Sequence, residues 1–198
     1  MALEVSESTI IAQAFRLLAQ AGISSFSDTS QQAADAAEQY GEALGICLEH
    51  SDWSFARNFA ELPEVTTPAL TDPNLPYAYQ LPGDCVKLRF VYPDGTKWRV
   101  DETHLWADSP APLLIFYTRN LDSEAGMPKS FRFAVSAKLA WDLAPKDGKS
   151  SAATQRLEKT FETALQNAAR KDAPLQSAAR YDGQDIAVSS DWATGATA

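Results

Sequence analysis

The sequence predicts an α+β fold that is mainly α: a four-helix bundle, a small antiparallel β-sheet inserted between helices 2 and 3, and an extended C-terminal tail. Apolar residues recur at intervals of three and four in the first fifty residues and again between residues 127 and 173, which is typical of amphipathic helices. Between these segments prolines accumulate, and short runs alternate apolar with polar side chains, as half-buried strands do. These changes of pattern give four segments: helices 1 and 2 over 1–62, the inserted sheet over 63–126, helices 3 and 4 over 127–173, and the tail over 174–198.

The first two helices are predicted from their apolar faces. Helix 1 runs from Thr9 to Ala21, and Gly22 ends it because glycine adopts the left-handed conformation at low cost. Helix 2 begins after an N-cap at Asp28 or Thr29 and reaches His50. Its predicted buried face consists of Ala33, Ala37, Tyr40, Leu44, Cys47 and Leu48.

The middle of the chain is predicted to form strands. The runs 77–81, 86–91, 97–100 and 113–118 have strand composition, and prolines exclude a helix between them. The triplet Pro93-Asp94-Gly95 predicts a tight turn, because proline fixes the first torsion and glycine accepts the unfavourable one. We therefore expect 86–91 and 97–100 to pair as a hairpin.

Helical periodicity returns after Met127. Pro128 suits the first turn of helix 3, and Pro145 with Gly148 ends it. Helix 4 begins at Ser150 or Ser151. The predicted core faces of these two helices comprise Phe131, Ala134, Val135, Leu139, Trp141, Leu157, Phe161, Leu165 and Ala168.

Composition and charge narrow the function classes. The chain has 198 residues, 45% of them hydrophobic, so it can bury a core without a metal or a disulfide. Cys47 and Cys85 fit no zinc or disulfide-rich pattern, and we expect reduced thiols in a protein made in a cytoplasm. No apolar run reaches the about 18 residues of a membrane span, so we expect no membrane partner.

The net charge of −9 argues against a protein that binds nucleic acid tightly, though not against one through which DNA passes.

No catalytic or cofactor motif is present, and each local cluster has a simpler interpretation. Asp101, Glu102 and His104 suggest a metal site, but a surface turn is the better interpretation because no further histidine or cysteine lies nearby. The run Glu49–Asp52 is interpreted as a helix end, and Cys47 as a core residue. The basic and aromatic runs 87–90 and 97–99 could form a nucleic-acid platform, but the acidic balance favours side chains that face solvent or an acidic neighbour. We expect no enzyme, no cofactor and no metal.

The order of several short segments resembles one protein family. These segments are Asp52–Ala56, centred on Trp53; Leu81–Leu88, an LP-x-D entry into a strand; Gly95 with Trp98 and Arg99; Tyr117–Asn120; and Met127–Phe131, followed by the run 134–144. In this order and spacing, over residues 6 to 175, the chain resembles the tail tubular protein A and head–tail adaptor family of tailed phages, prophages and gene transfer agents.

The resemblance implies a structural subunit of the virion or phage-like particle. The family forms a dodecameric ring beneath the portal protein, with a further tail or stopper protein below it and a lumen through which DNA passes without specific binding. The tail from Pro174 is predicted to be disordered in the free chain and to order on the portal. Its large apolar residues are the predicted portal contacts: Tyr181, Ile186, Val188 and Trp192.

Two other functions remain open at this point. The chain could be a small non-enzymatic module that binds or scaffolds a partner helix through a groove of the bundle. It could also be a metal-independent hydrolase with scattered catalytic residues, which a cleft containing carboxylates of raised pKa would favour.

Overall fold

A computed structural model describes residues 9–19, 31–65, 72–121, 123–145 and 148–173. The helices are α1 (Thr9–Leu17), α2 (Gln31–His50), α3 (Lys129–Leu143) and α4 (Ser151–Asp172), with a short 3₁₀ turn at Glu124–Gly126. The strands are β1 (Arg57–Leu62), β2 (Glu64–Val65), β3 (Tyr77–Gln80), β4 (Cys85–Tyr92), β5 (Trp98–Asp101), β6 (His104–Ala107) and β7 (Leu113–Arg119). No helix within these ranges has the length and hydrophobicity that crossing a membrane requires.

The chain divides into two compact units. The helical unit contains the described residues up to Asn58, the segment Asp84–Lys87 and the described residues from Thr118 onwards. The strand unit contains Phe59–Gly83 and Leu88–Tyr117, apart from the few residues there that the structure does not describe.

Helix α3 is the centre of the helical unit, because it packs against α1, α2 and α4. Almost its whole circumference is buried between Phe131 and Leu143, which fits a helix surrounded by three others. The other helices are amphipathic and bury one face each against it. The core is formed mainly by aliphatic residues, alanines and a few aromatics, including Phe15, Leu48, Trp53, Phe131 and Leu139.

All four predicted helices are confirmed, and most of their ends are close to the predicted positions. Helix α2 ends at His50 as expected, and α4 begins at Ser151 with Ser150 as its N-cap, whose hydroxyl accepts a hydrogen bond from the Ala153 N–H. Helix α1 ends at Leu17, earlier than predicted, because Ala19 already has a left-handed φ of 55°. The predicted N-caps Asp28 and Thr29 lie outside the described residues.

The predicted buried face of α2 needs one adjustment. Tyr40, Leu44, Cys47 and Leu48 are buried as expected, whereas Ala37 is exposed. Ala36 and Ala43 are fully buried in addition, and the Ala33 side chain is outside the described part. The helix is therefore rotated slightly from the orientation that the sequence predicted.

The predicted fold class is wrong in its β part. Instead of one small inserted sheet, the strands form two antiparallel sheets. One has three strands in the order β1-β7-β4, and the other has four in the order β2-β3-β6-β5. In the four-stranded sheet Leu105 of β6 lies opposite Tyr79 of β3 on one side and Val100 of β5 on the other. Strands β1, β2 and β6 were missing from the sequence prediction.

The predicted hairpin between residues 86–91 and 97–100 is also wrong. The turn itself is present: the Thr96 N–H donates to the Pro93 carbonyl at 3.2 Å, and Gly95 has a φ of 83°. However, β4 before the turn pairs with β7, while β5 after it pairs with β6. The turn thus carries the chain from one sheet to the other. Local turn chemistry fixes a change of direction, but the partner of each strand depends on residues distant in sequence.

Candidate interaction surfaces

The segment Asp52–Ala56 connects the C-terminal ends of α2 and α4. Trp53 is fully buried, and its indole N–H donates to the Cys47 carbonyl at 2.8 Å, which satisfies one of the free carbonyls near the end of α2. The Ser54 hydroxyl and N–H both donate to the buried carboxylate of Asp172, at 2.6 and 2.8 Å. Asp52 pairs with Arg57 at 2.7 Å. The sequence therefore places a rigid corner where the chain leaves the helices for the first strand.

Four of the five segments that carry the family resemblance meet at this corner, whereas the segment of Gly95, Trp98 and Arg99 lies at the start of β5 in the four-stranded sheet. The Arg119 N–H donates to the Ala56 carbonyl at 2.8 Å, and the Asn120 N–H donates to the Asp84 carbonyl at 2.7 Å. The Phe131 ring lies edge-on to the Trp53 ring, with centroids 4.9 Å apart. Segments that begin at residues 52, 81, 117 and 127 are thus in direct contact although they are scattered along the chain. We name this cluster the tryptophan corner.

One face of the three-stranded sheet carries a row of phenylalanines. Phe59 of β1, Phe116 of β7 and Phe90 of β4 lie side by side, with ring centroids 6.2 and 6.3 Å apart across the middle ring. Phe59 is 67% exposed. The opposite face of the same sheet contributes buried residues, among them Leu62, Val91 and Ile115. The sequence alone did not identify this phenylalanine face. The alternation of buried and partly buried side chains in β7 is the pattern that could have indicated it.

The two basic and aromatic runs do not form a common platform. Lys87 and Arg89 lie on β4, while Trp98 and Arg99 lie on β5 of the other sheet. The Arg99 guanidinium pairs with Asp101 at 2.8 Å and with Asp72 at 3.4 Å, so its charge is already neutralised within the chain. The Lys87 ammonium donates to the Glu49 carbonyl at 3.3 Å. Because Arg99 and Lys87 are engaged within the chain, these contacts favour strand residues with ordinary structural roles over a surface that binds phosphate.

The residues considered for catalysis or metal binding are not brought together. Asp101 and His104 face each other across the two-residue turn between β5 and β6, and Glu102 in that turn has a left-handed φ of 54°. His50 is an exposed residue at the end of α2, and Asp52 is engaged with Arg57. Within the described ranges, no group of three or more histidine, cysteine, aspartate or glutamate residues could hold a metal ion.

Cys47 is a core residue rather than a candidate nucleophile. Its thiol lies on the buried face of α2, and burial raises the pKa of the thiol to about 12, with Asp142 adding to the increase and Lys138 opposing it. A nucleophilic cysteine needs the opposite shift, because the thiolate is the reactive form. Cys85, at the start of β4, is only partly buried.

We therefore expect a thiol reagent to distinguish the two cysteines. At neutral pH the folded protein should react at Cys85 alone, and Cys47 should react only after denaturation, because its thiol is both inaccessible and almost entirely protonated. Mass spectrometry of the labelled peptides measures both. The Cys85→Ser variant is the control and should show no rapid labelling; fast labelling of Cys47 in this variant would contradict its assignment to the core.

The predicted portal contacts Tyr181, Ile186, Val188 and Trp192 lie outside the described residues. A comparison of the sequence with known protein families and with curated proteins finds no match.

Proposed function

We propose that the chain is a structural head–tail adaptor subunit, which forms a ring under the portal of a phage or phage-like particle and leaves a conduit for DNA. The observation that supports this proposal is the tryptophan corner. It joins four of the five segments by which the sequence resembles the adaptor family in one hydrogen-bonded and packed junction.

The surfaces of the protein suit a subunit that works by contact. The phenylalanine face and the exposed side chains of Trp98 and Val100 on β5 are apolar surfaces on two different sheets. Exposed apolar surface of this kind is typical of proteins that bind other proteins. A hydrolase would instead need a cleft with converging carboxylates or a base and nucleophile in contact.

The charge of the chain is compatible with DNA passage. A net charge of −9 per subunit would make an assembled ring strongly acidic. Phosphates are repelled by a surface of like charge, so DNA could slide through such a ring without binding to its wall. We propose that the lumen is lined by acidic side chains, and a strongly basic lumen in the assembled ring would contradict this part of the proposal.

Native mass spectrometry with the portal protein encoded nearby tests the function. The wild-type chain is expected to add a ring of copies to the portal. Replacing Tyr181, Ile186, Val188 and Trp192 by alanine should weaken this association by about 30-fold or more, because loss of even one anchor residue commonly costs about 2 kcal/mol. Deletion of residues 176–198 should have at least the same effect.

The matched control is the replacement of Ser177, Ser189, Ser190 and Thr194 by alanine, which changes the same segment without removing an apolar anchor. This variant should bind the portal as the wild type does. A wild-type chain that remains free beside intact portal would contradict the adaptor function and favour the alternative, a partner-binding or scaffolding module.

A further inference from the structure

A basic groove lies between α3 and α4 on the surface of the helical unit. Its volume is about 640 Å³, and four cations line it: Lys129 from the first turn of α3 and Arg156, Lys159 and Lys171 from α4. Hydroxyl and amide side chains occupy the space between the cations, together with the aromatic ring of Phe133. Among the described residues that line the groove there is no carboxylate.

The groove is unusual because the chain as a whole is acidic. Arg156, Lys159 and Lys171 recur along one side of α4, whereas Glu158 and Glu162 fall on the other side of the same helix. In the part of the chain that the structure describes, none of the four cations of the groove has a carboxylate within ion-pairing distance. The groove therefore presents uncompensated positive charge, and an anionic surface would complement it.

Helix α2 carries a surface of the opposite charge. Asp35, Glu38, Glu42 and Glu49 lie at intervals that place them on one side of the helix, opposite its buried face. Ile46 lies among them and is 37% exposed. We name these five residues the acidic stripe.

The two surfaces match in length and in arrangement. The acidic stripe covers 15 residues of helix, or about 21 Å from first to last, and the row from Arg156 to Lys171 covers 16, or about 22 Å. Each surface combines charged residues with an apolar one, Ile46 near the C-terminal end of the stripe and Phe133 in the groove. Docking of a helix in a groove through charged and apolar contacts is a common mode of recognition.

We propose that the acidic stripe of one copy of this chain docks in the basic groove of a second copy. Within one copy α2 and α4 each pack against α3 and make few contacts with each other, so the contact is assigned to two copies. Contact between two different surfaces is head-to-tail, and repetition of it produces a ring when the rotation closes. The inference deepens the proposed function, on which it rests, by assigning the contact between neighbouring subunits.

Charge reversal with complementation tests this contact. The groove variant is Lys159→Glu with Lys171→Glu, and the stripe variant is Glu38→Lys with Glu42→Lys; all four side chains are exposed. Each variant alone should self-associate at least about 100-fold more weakly than the wild type, because like charges then face each other. An equimolar mixture should recover assembly, since each variant complements the other at both of its surfaces. Sedimentation velocity and native mass spectrometry measure the distribution of species.

The matched control is Glu158→Lys with Glu162→Lys, which changes the net charge as the stripe variant does but on the side of α4 away from the groove. This control should assemble normally, and assembly of the wild type should weaken between 0.1 and 1 M salt as the screening length falls from about 10 to about 3 Å. Circular dichroism establishes that each variant is folded.

Three results would overturn the proposed contact: normal assembly of the groove variant, failure of the mixture to assemble, or a wild-type chain that is monomeric both alone and on the portal. If the first of these results is accompanied by loss of duplex DNA binding in the groove variant, the groove is a nucleic-acid site instead. If the wild type forms a ring on the portal that is insensitive to these reversals, the adaptor function stands and only this interface is wrong. If the wild type self-associates as expected but ignores the portal, the adaptor function fails and the contact stands.

Discussion

The Trp53→Ala variant is expected to lose about 3–5 kcal/mol of unfolding free energy, the range typical of removing a large aromatic side chain from a core. Trp53 is fully buried, and its ring packs against the rings of Phe55 and Phe131 at centroid distances of 5.7 and 4.9 Å. Alanine would leave a cavity between these rings. It would also remove the indole N–H that donates to the Cys47 carbonyl at a fully buried position. The corner that positions the first strand would lose its anchor.

Urea denaturation followed by circular dichroism measures this loss as a lower midpoint. Trp98→Ala is the matched control: Trp98 is 42% exposed on β5, and its removal should cost less than about 1 kcal/mol. The Trp53→Phe variant should be intermediate, because it restores most of the packing but not the N–H donor. Equal costs for the alanine variants of Trp53 and Trp98 would show that the tryptophan corner does not stabilise the fold.

The helices could be predicted from the sequence because their signal is local. Residues three and four apart share a face, so a run such as Leu157, Phe161, Leu165 and Ala168 identifies both the helix and its core side without knowledge of a partner. The early end of α1 at Leu17 was not predictable in this way, since alanine has no preference for the left-handed conformation that Ala19 adopts just beyond it.

The sheets were predictable only in part because strand pairing is not local. Strand β1 has one fully buried residue, Leu62, and its remaining pattern is too mixed to be distinguished from a loop. Strand β6 has only four residues and follows a turn at Glu102 that the sequence presented as a polar cluster. When β1 and β6 are not recognised, β4 and β5 are the nearest strands in the sequence that could pair with each other. The sequence therefore predicts a hairpin, whereas in the structure the two strands belong to different sheets.

The charged surfaces show the same difference between features that are local in sequence and features that are not. The charge pattern of the acidic stripe and that of α4 are both local and could have been found by marking charged residues at helical spacing. Basic residues beside aromatic ones on the predicted strands pointed instead to a nucleic-acid platform, which the structure does not form. The contribution of Lys129 to the groove could not be found from sequence, because it requires that the start of α3 lie beside the end of α4.

The Lys138→Ala variant is expected to lose about 3 kcal/mol of unfolding free energy, because it leaves a buried carboxylate without its partner. Lys138 donates to Asp142 at 2.5 Å, and their side chains are only 9% and 17% exposed. The ammonium also lies 4.5 Å from the centre of the Trp141 ring, where the negative face of the ring attracts it. The second carboxylate oxygen of Asp142 is buried and has no hydrogen-bond partner among the residues that the structure describes, so within these residues the carboxylate depends on Lys138.

The double variant Lys138→Met with Asp142→Leu tests whether the ion pair itself stabilises the fold, because it removes both charges at once. Apolar residues of similar volume avoid the cost of burying two charges, so the double variant should be about as stable as the wild type or more stable. Urea denaturation of the wild type and both variants, at the same protein concentration, gives the comparison. A double variant as unstable as Lys138→Ala would contradict this account and would show that the ion pair itself stabilises the fold.

The dependence on pH provides an independent check of the same interaction. Burial raises the pKa of the Asp142 carboxyl, with Glu42 adding to the increase and Lys138 opposing it. Because the folded-state pKa lies above the unfolded value of about 3.9, the native protein takes up a proton at this site before the unfolded chain does, and this group favours folding increasingly as the pH falls through that interval. Removal of Lys138 should raise the pKa of Asp142 further. The cost of Lys138→Ala should therefore decrease when the pH is lowered from neutral, as Asp142 becomes neutral in the variant; a cost that grows on acidification would contradict the assignment of the loss to an unpaired carboxylate.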